Sequence, residues 1–354
     1  MTTSLPIARL DEALTFARSL TGQIIGVLSY QDDQVTGVDL SALTLTPGED
    51  AIDLVNRLGL EAVSEAVRNG QPAVTLPVSD LGLPVKLTDA HIAVGTNYRE
   101  HAEESSVTGS PFLFPKLVIP TSSRADIPAG AGLLDFEVEL CLVPLQPLGL
   151  NDPASGGLIL GNDVTDRAVL MRGVDLKDPQ SGRGFTDGKS AAGYLPVGDL
   201  FVVPRDLDAF VAGLTLQLSV NGVERQRAPA TEWIWDLTEI LKRARAKRET
   251  IWSWRHGAAR LAFADDGAIP ARTLIMAGTP AGTIFHGVPG KDRQSGLLRW
   301  ILSGFRGSVV QNVIAAYIAR SQAQKTYLQP GDQVTIRVDR LGTLSNRVMA
   351  GNTG

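Results

Sequence analysis

Residues 133–143 read LLDFEVELCLV, and polar and apolar residues alternate along this stretch as they do in a β-strand. Its acidic residues, Asp135, Glu137 and Glu139, occupy every second position, and apolar residues stand between them. Side chains of a strand alternate between two faces, so the pattern predicts three carboxylates on one face. Cys141 continues that face, which indicates that it enters the core. Burying like charges is costly, so either water or a cation lies opposite them.

Composition places the chain among ordinary globular proteins. Of its 354 residues, 44% are hydrophobic and 20% are charged. The net charge of -5 gives no basic footprint for nucleic acid or for an anionic membrane, so we expect neither partner. The single cysteine, Cys141, excludes an internal disulfide and a cysteine-rich metal site. No signal peptide or membrane-spanning run is recognisable, and we expect a cytoplasmic protein.

The pattern of predicted secondary structure divides the chain into two parts. Residues 1–85 are predicted to form a small N-terminal α/β module, with a hairpin within residues 23–40 and a helical segment over residues 49–70. The proline-punctuated residues 75–89 are predicted to be a linker. Residues 86–354 consist mainly of short β-like runs separated by turn residues. The sequence therefore predicts a β-rich α+β protein.

Two stretches of the larger part are predicted to be insertions, near residues 239–266 and 285–329. The first is basic and rich in tryptophan. The second has apolar residues at helical spacing, at positions 298, 302, 305, 309, 313 and 317. We expect a helix broken near Gly304 and Gly307 that packs on the body of the protein or on a neighbouring subunit. A helix lying on a membrane surface is the weaker alternative, because its polar face carries few basic residues.

A third carboxylate follows the acidic strand at a suggestive distance. Asp163 lies 24 residues after Glu139 and directly follows the apolar run GLILGN (157–162). If that run forms a neighbouring strand, Asp163 joins Glu137 and Glu139 in a cage of oxygen ligands. Hard cations such as Mg²⁺ prefer such ligands and leave positions open for substrate oxygens. The alternative is an exposed strand whose acids face water.

Three further patterns could carry chemistry. His101 and Glu104 are three residues apart, so on a helical turn the carboxylate could orient the imidazole as a general base. Lys189 lies among small residues and could stabilise an anion facing a metal. The backbone N–H groups of the Gly-Thr-Pro-Ala-Gly turn at 278–282, together with the hydroxyl of Thr279, could bind a carboxylate. Taken singly, a surface contact, a solvated lysine and an ordinary turn explain these patterns as well.

Together these motifs resemble the fumarylacetoacetate hydrolase family. The resemblance covers roughly residues 90 to 346 and rests on six motifs in family order: VGTNYREHAEE (94–104), LDFEVEL (134–140), GNDVTDR (161–167), GFTDGKSAAGYLPVGD (184–199), GTPAG (278–282) and PGDQVTIRVDRLGTLSNRV (330–348). It implies a mixed β-roll or sandwich with flanking helices, in which residues 86–354 are the catalytic domain beside a small N-terminal domain. It also implies a homodimer that binds Mg²⁺, or else Mn²⁺ or Ca²⁺.

The resemblance assigns roles to individual residues. The implied metal ligands are Glu137, Glu139 and Asp163. The implied catalytic residues are His101, Glu104 and Lys189. The implied substrate-binding residues are Gly278, Thr279 and Arg167. Asp135 matches no ligand position in the family pattern, although it has the same strand parity as the two glutamates.

The implied activity is hydrolysis of a C–C bond in a 2,4-dioxo acid such as an acylpyruvate, through an enolate that a metal and Lys189 stabilise. One alternative is a lyase of the same family, either a 2-oxo acid decarboxylase or a 2-keto-3-deoxy sugar acid dehydratase. Another is a non-catalytic member that binds a ligand. One departure bears on the substrate, because Leu170 stands where many members carry glutamine, seven positions after the ligand aspartate.

Overall fold

A computed structural model of the chain describes residues 4–70, 73–105, 109–130, 132–175, 178 and 181–351. Within these residues the strands are β1 (Ser4–Leu5), β2 (Ala13–Arg18), β3 (Ile24–Gln31), β4 (Gln34–Asp39), β5 (Ala73–Pro77), β6 (Ala90–Gly95), β7 (Phe112–Leu117), β8 (Ile127–Ala129), β9 (Leu134–Asp135), β10 (Val138–Val143), β11 (Gly157–Asn162), β12 (Thr165–Asp166), β13 (Phe201–Pro204), β14 (Thr215–Val220), β15 (Val223–Pro229), β16 (Trp252–Trp254), β17 (Gly257–Ala259), β18 (Ile275–Met276), β19 (Gln333–Val338) and β20 (Gly342–Ala350). The helices are α1 (Ala51–Leu58), α2 (Leu60–Asn69), α3 (Arg99–Glu104), α4 (Arg167–Gly173), α5 (Phe185–Lys189), α6 (Leu207–Ala212), α7 (Leu237–Ala246), α8 (Gly290–Leu302) and α9 (Val309–Gln324). The α+β prediction is confirmed.

A large mixed sheet, which has 11 strands within the described residues, contains the buried strands β10 and β11. Its strand order is β5-β4-β3-β2-β13-β11-β10-β18-β6-β7, with β1 added to β3. Adjacent strands are antiparallel except for the pair of β18 and β6. A second sheet has the order β15-β14-β19-β20-β8. Every residue of β10 and β11 is buried, so the acidic stretch lies in the core and not at the surface.

The N-terminal region follows most of its predicted pattern. The hairpin joins β3 to β4 through Asp32 and Asp33, whose positive φ angles of 51° and 56° suit a tight hairpin turn. The predicted helical segment is two helices, α1 and α2, separated by Gly59 at φ 83°. The linker prediction is wrong in part, because β5 pairs with β4 along residues 73–77. Because β2 pairs with β13, the N-terminal strands β2 to β5 continue the main sheet. The domain boundary at residue 85 stays a prediction.

The insertion at residues 285–329 forms a helical hairpin. Helices α8 and α9 are separated by residues 303–308, so the break predicted near Gly304 and Gly307 is confirmed. The helices touch where Gly296 faces Val313, because a Cβ at Gly296 would lie 2.3 Å from the Cα of Val313. One face of α9 is buried against the body of the protein, as predicted, in a cluster of apolar side chains that includes Leu133, Met171, Ile314 and Tyr317. The other insertion contains α7 and the hairpin of β16 and β17.

None of the helices in the described ranges combines the length and the apolar character that a bilayer-spanning segment requires.

His91 on β6 is expected to make stability depend on pH. Its buried Nδ1 accepts from the N–H of Leu274 (3.2 Å), and its Nε2 donates to the carbonyl of Val118 (3.1 Å), so the ring is neutral. Burial lowers the pKa of His91 to about 3. Below pH ~6.5 the unfolded chain binds a proton that the folded protein does not bind until near pH 3. As the pH falls from about 6.5 towards 3, the free energy of unfolding therefore decreases by about 1.4 kcal/mol per pH unit.

Urea unfolding measured from pH 7 to pH 5 tests this expectation. His91→Gln is expected to lower the free energy of unfolding at pH 7 but to show a weaker dependence on pH than the original chain. His256→Gln changes an exposed histidine and is expected to keep the original dependence. Equal pH dependence in all three proteins would contradict the assignment.

Candidate active site

The pairing of β10 with β11 brings the three predicted metal ligands together. In this antiparallel register Glu139 is opposite Gly161 and Val138 is opposite Asn162, so Asp163 follows directly beside Glu137. The N–H of Asp163 donates to the carbonyl of Glu137 at 2.9 Å. One carboxylate oxygen from each of Glu137, Glu139 and Asp163 lies within 4.8 Å of the other two. We call these three buried residues the acidic trio.

Two buried lysines neutralise part of this charge. Lys189 Nζ lies 2.7 Å from Glu137, from Asp163 and from the hydroxyl of Thr165. Lys116, which is completely buried on β7, donates to Asp163 and to the carbonyls of Lys189 (2.6 Å) and Tyr194 (2.9 Å). Sequence analysis missed Lys116. The signal that could have found it is a lone lysine in the apolar run FLFPKLVI.

The charges of the trio are unevenly balanced. Burial by itself raises the pKa of Glu137, but Lys189 and Arg167 outweigh it and lower that pKa to about 2. Burial and the neighbouring charges of Asp163 and Glu137 raise the pKa of Glu139 well above its usual range. Burial and the two neighbouring carboxylates therefore favour the protonated form of Glu139.

Asp135 belongs to a different arrangement. The acidic stretch does not form one strand, because it leaves the ladder between β9 and β10. Asp135 accepts from Arg167 at 2.8 Å and from the backbone N–H groups of Ile284 (3.0 Å) and Phe285 (3.3 Å). It lies outside the trio. Arg167 also donates to Glu137 at 2.6 Å, and the prediction that it binds substrate is not tested by these contacts.

His101 and Glu104 face each other on α3. His101 Nδ1 lies 3.4 Å from Glu104 Oε2, and His101 is 6% exposed. The N–H of Gly282 donates to both oxygens of Glu104, at 3.2 and 3.1 Å, and His286 Nδ1 lies 3.1 Å from Glu104 Oε1. Burial by itself raises the pKa of Glu104, but the hydrogen bonds from His101 and Gly282 outweigh it and lower that pKa. Glu104 is therefore held as a carboxylate beside the imidazole.

The glycine-rich turn at residues 278–282 holds side chains of the site in place through hydrogen bonds. The N–H of Gly278 donates to Glu139 at 2.9 Å, so this group positions a member of the trio. Gln226 Nε2 donates to the hydroxyl of Thr279 at 2.8 Å and to the carbonyl of Pro280 at 2.7 Å. Gln226 was not predicted, because it lies on β15, far from the motifs in sequence. The substrate-binding roles of Gly278 and Thr279 stay predictions.

A cavity of about 560 Å³ joins these groups. Its polar lining includes His101, Thr279, Lys189 and Arg167, together with Glu137 and Asp163 of the trio. Leu170 also lines the cavity, where many members of the family that the sequence resembles carry glutamine. Much of the remaining wall comes from α8 and α9. The insertion at 285–329 therefore forms part of the wall of the cavity at the predicted site.

The acidic trio fits a divalent cation. Its donors are buried carboxylate oxygens, the ligand type that Mg²⁺, Mn²⁺ and Ca²⁺ prefer. Burial and the two neighbouring carboxylates raise the pKa of Glu139, and a divalent ion held by the trio would favour its ionised form by adding positive charge. The trio can therefore hold such an ion.

A comparison with known families agrees with this site. The family described as fumarylacetoacetate (FAA) hydrolase C-terminal matches residues 90–349, which is most of the chain. This chain belongs to the fumarylacetoacetate hydrolase family. All the residues of the acidic trio, and both His101 and Glu104, lie inside the matched region.

Relatives within the fumarylacetoacetate hydrolase family bear the names of several enzymes. The 2,4-didehydro-3-deoxy-L-rhamnonate hydrolase of a Sphingomonas species is 27% identical over 208 residues, which are 54% of this chain and 68% of that protein. The oxaloacetate tautomerase YisK of Bacillus subtilis is 23% identical over 269 residues, which are 73% and 68% of the two chains. The structure of maleylpyruvate hydrolase from Sphingobium sp. SYK-6, in complex with manganese (II) ion and pyruvate, has the same fold. Its TM-score is 0.58 at 19% identity, and the match covers 96% of this chain and 100% of that one.

Gly282 is expected to be essential for the position of Glu104 in this family member. Its φ angle is 105°, and a Cβ there would lie 1.9 Å from the carbonyl oxygen of Arg225. Gly222→Ala is the matched control, because Gly222 has φ 78° and its Cβ would meet nothing within 4 Å. The control is expected to lower the free energy of unfolding by about 1–2 kcal/mol. Gly282→Ala is expected to cost about 1–3 kcal/mol more, because it adds overpacking to the same strain.

Chemical denaturation of both variants measures this difference. Equal destabilisation by the two substitutions would show that the backbone at Gly282 can shift away from Arg225 at little cost. The turn would then not fix the position of Glu104.

Proposed function

We propose that the protein is a divalent-metal-dependent hydrolase that cleaves a C–C bond in a 2,4-dioxo acid. The observation that carries the proposal is that Glu137 and Asp163 of the acidic trio line the same cavity as His101, which Glu104 contacts. A base for water and a set of metal ligands are the two components that this hydrolysis needs. The names of the relatives, which include hydrolases, favour the same class.

The trio would hold Mg²⁺, or else Mn²⁺ or Ca²⁺. When bound, such an ion supplies a Lewis acid that polarises the 2-oxo group of the substrate. Lys189 places a second positive charge beside the trio, where it stabilises negative charge that develops on the three-carbon fragment. Because the hydroxyl of Thr279 accepts from Gln226, its own hydrogen is available to donate to the substrate carboxylate.

His101 would act as the general base. A hydrogen on Nδ1 that is donated to Glu104 leaves Nε2 to accept a proton from water. The water adds to the C4 carbonyl, and the bond between C3 and C4 breaks. Its electron pair stays on the three-carbon fragment, which takes up a proton and becomes pyruvate. The other fragment leaves as a carboxylic acid.

A direct assay tests this function. The purified protein is incubated with a short acylpyruvate and Mg²⁺ or Mn²⁺, with and without a chelator, and the loss of the diketo absorbance is followed. We expect metal-dependent loss together with pyruvate and the second acid in equal amounts. Release of CO₂ or water without a second acid fragment would instead indicate a lyase. Absence of any metal-dependent turnover would overturn the proposal.

We also propose that the protein is a cytoplasmic homodimer whose partner in the reaction is a small 2-oxo acid. The resemblance that the motifs carry favours the dimer, and the composition favours the compartment. Light scattering of the purified protein tests the assembly, and a mass of one chain would overturn it.

A further inference from the structure

The wall of the cavity changes in character away from the charged groups. Charged and hydrogen-bonding side chains concentrate where Lys189, Arg167, Glu137 and Asp163 contact one another. The rest of the lining is mostly apolar and combines the insertion with the body of the protein. Its apolar side chains include Phe114, Leu170, Met171 and Phe185 from the body of the protein.

Helices α8 and α9 of the insertion contribute five apolar side chains to the described lining. Leu297 comes from α8, and Val309, Val310, Val313 and Ile314 come from α9. Among the described lining residues of the two helices, Arg293 is the one with a charge. Arg293 is exposed at the rim, and its Nε donates to the carbonyl of Val288 at 3.2 Å.

The cavity is also larger than a three-carbon oxo acid requires. Its volume of about 560 Å³ lies within the range of roughly 300–1,000 Å³ that pockets for drug-sized ligands have. Water gains few hydrogen bonds against an apolar wall, so apolar substrate surface buried there is favourable. A carboxylate placed against the same wall would lose its hydration without compensation.

We propose that the substrate is a 2,4-dioxo acid whose acyl group is an extended alkyl or aryl chain lying against α8 and α9. The inference rests on the proposed function, because that function fixes the 2-oxo acid end at the acidic trio. The insertion would then act as the specificity element. It would favour an apolar acyl chain over one that ends in a second carboxylate.

A series of acylpyruvates tests the inference with the metal-loaded enzyme. The acyl groups are acetyl, butanoyl, hexanoyl and benzoyl, with a carboxylate-terminated chain of the same length as hexanoyl. We expect kcat/KM to rise about fourfold for each methylene that becomes buried. The carboxylate-terminated chain is expected to be at least about tenfold poorer than hexanoyl. Equal values along the series, or preference for the carboxylate-terminated chain through Arg293, would overturn the inference.

Aspartate variants inside and outside the cavity lining test whether α8 and α9 cause the preference for apolar acyl chains. Leu297 and Val310 line the cavity and are 45% and 43% exposed, so aspartate at either position is compatible with folding. We expect Leu297→Asp and Val310→Asp to lower the ratio of kcat/KM for hexanoyl over acetyl by at least about tenfold. Leu302, which is 77% exposed and lies on α8 outside the cavity lining, is the control. Leu302→Asp is expected to keep the ratio, and an equal loss in the control would contradict the assignment.

A binding measurement separates this inference from the proposed function. Calorimetric titration of the metal-loaded protein compares pyruvate with 2-oxooctanoate, which carries an apolar chain and no cleavable dioxo group. Tighter binding of 2-oxooctanoate, lost in Leu297→Asp but not in Leu302→Asp, would support the apolar subsite even if every acylpyruvate stayed uncleaved. Equal binding of the two acids would overturn the subsite even if acetylpyruvate were hydrolysed.

Discussion

Replacing His101 with asparagine is expected to lower kcat for acylpyruvate cleavage by about two to four orders of magnitude. His101 is buried on α3, its Nδ1 faces Glu104, and it lines the cavity together with Glu137 and Asp163 of the acidic trio. Asparagine keeps a polar side chain of smaller size but cannot accept a proton from water near neutral pH. Steady-state kinetics with acetylpyruvate and saturating Mg²⁺ measure the loss, and calorimetry checks that metal binding is unchanged.

His286 provides a matched control for this prediction. It also contacts Glu104, at 3.1 Å, but its side chain is 66% exposed and is absent from the described cavity lining. His286→Asn is expected to change kcat by less than about threefold, because a contact at an exposed position contributes little. A similar loss in both variants would show that Glu104, and not the base function of His101, is what the substitutions disturb.

Replacing Arg167 with methionine is expected to lower the free energy of unfolding by about 3–5 kcal/mol. Arg167 is buried and donates to Asp135 at 2.8 Å and to Glu137 at 2.6 Å. Methionine preserves much of the apolar packing against Phe285, over which the guanidinium lies at 5.6 Å from the ring centre. It removes both ionic hydrogen bonds, and Asp135 then keeps its backbone donors, the N–H groups of Phe136, Ile284 and Phe285.

Urea unfolding of metal-free protein at pH 7 measures this effect as a shift of the midpoint at constant slope. Arg9→Met serves as the control, because the ion pair of Arg9 with Asp11 is largely exposed, with side-chain exposures of 71% and 64%. The control is expected to leave the midpoint unchanged. If Arg167→Met also left it unchanged, the buried ion pairs would contribute no net stability relative to apolar packing.

The core of the candidate site was predictable from local sequence. Alternation predicted that Glu137 and Glu139 lie on one side, and the structure has Glu139 on β10 with Glu137 directly before that strand. The second apolar run predicted that Asp163 follows the neighbouring strand, and it follows β11. The helical spacing of three likewise placed His101 beside Glu104. These inferences needed only the period of an element and the adjacency of two strands, which the residues themselves specify.

The second layer of the site was not predictable in this way. Lys116 and Gln226 reach the trio and Thr279 from β7 and β15, and no local period connects those strands with the motifs. Asp135 has the parity of a third ligand, but the chain leaves the ladder after β9 and backbone N–H groups about 150 residues later bind it. Such contacts depend on tertiary packing, which a single sequence does not display.

The pairing of β2 with β13 has a consequence for how this protein can be shortened. The family match begins at residue 90, yet β13 pairs with β2 along Phe201–Pro204. Among the described residues, β13 pairs with β11 through one partner pair, Val202 and Leu158. A fragment that starts at the match would leave β13 with an unsatisfied row of N–H and C=O groups. Such a row is a template for edge-to-edge aggregation. The region that the family model matches is therefore smaller than the region that is needed to pair β13 on both sides.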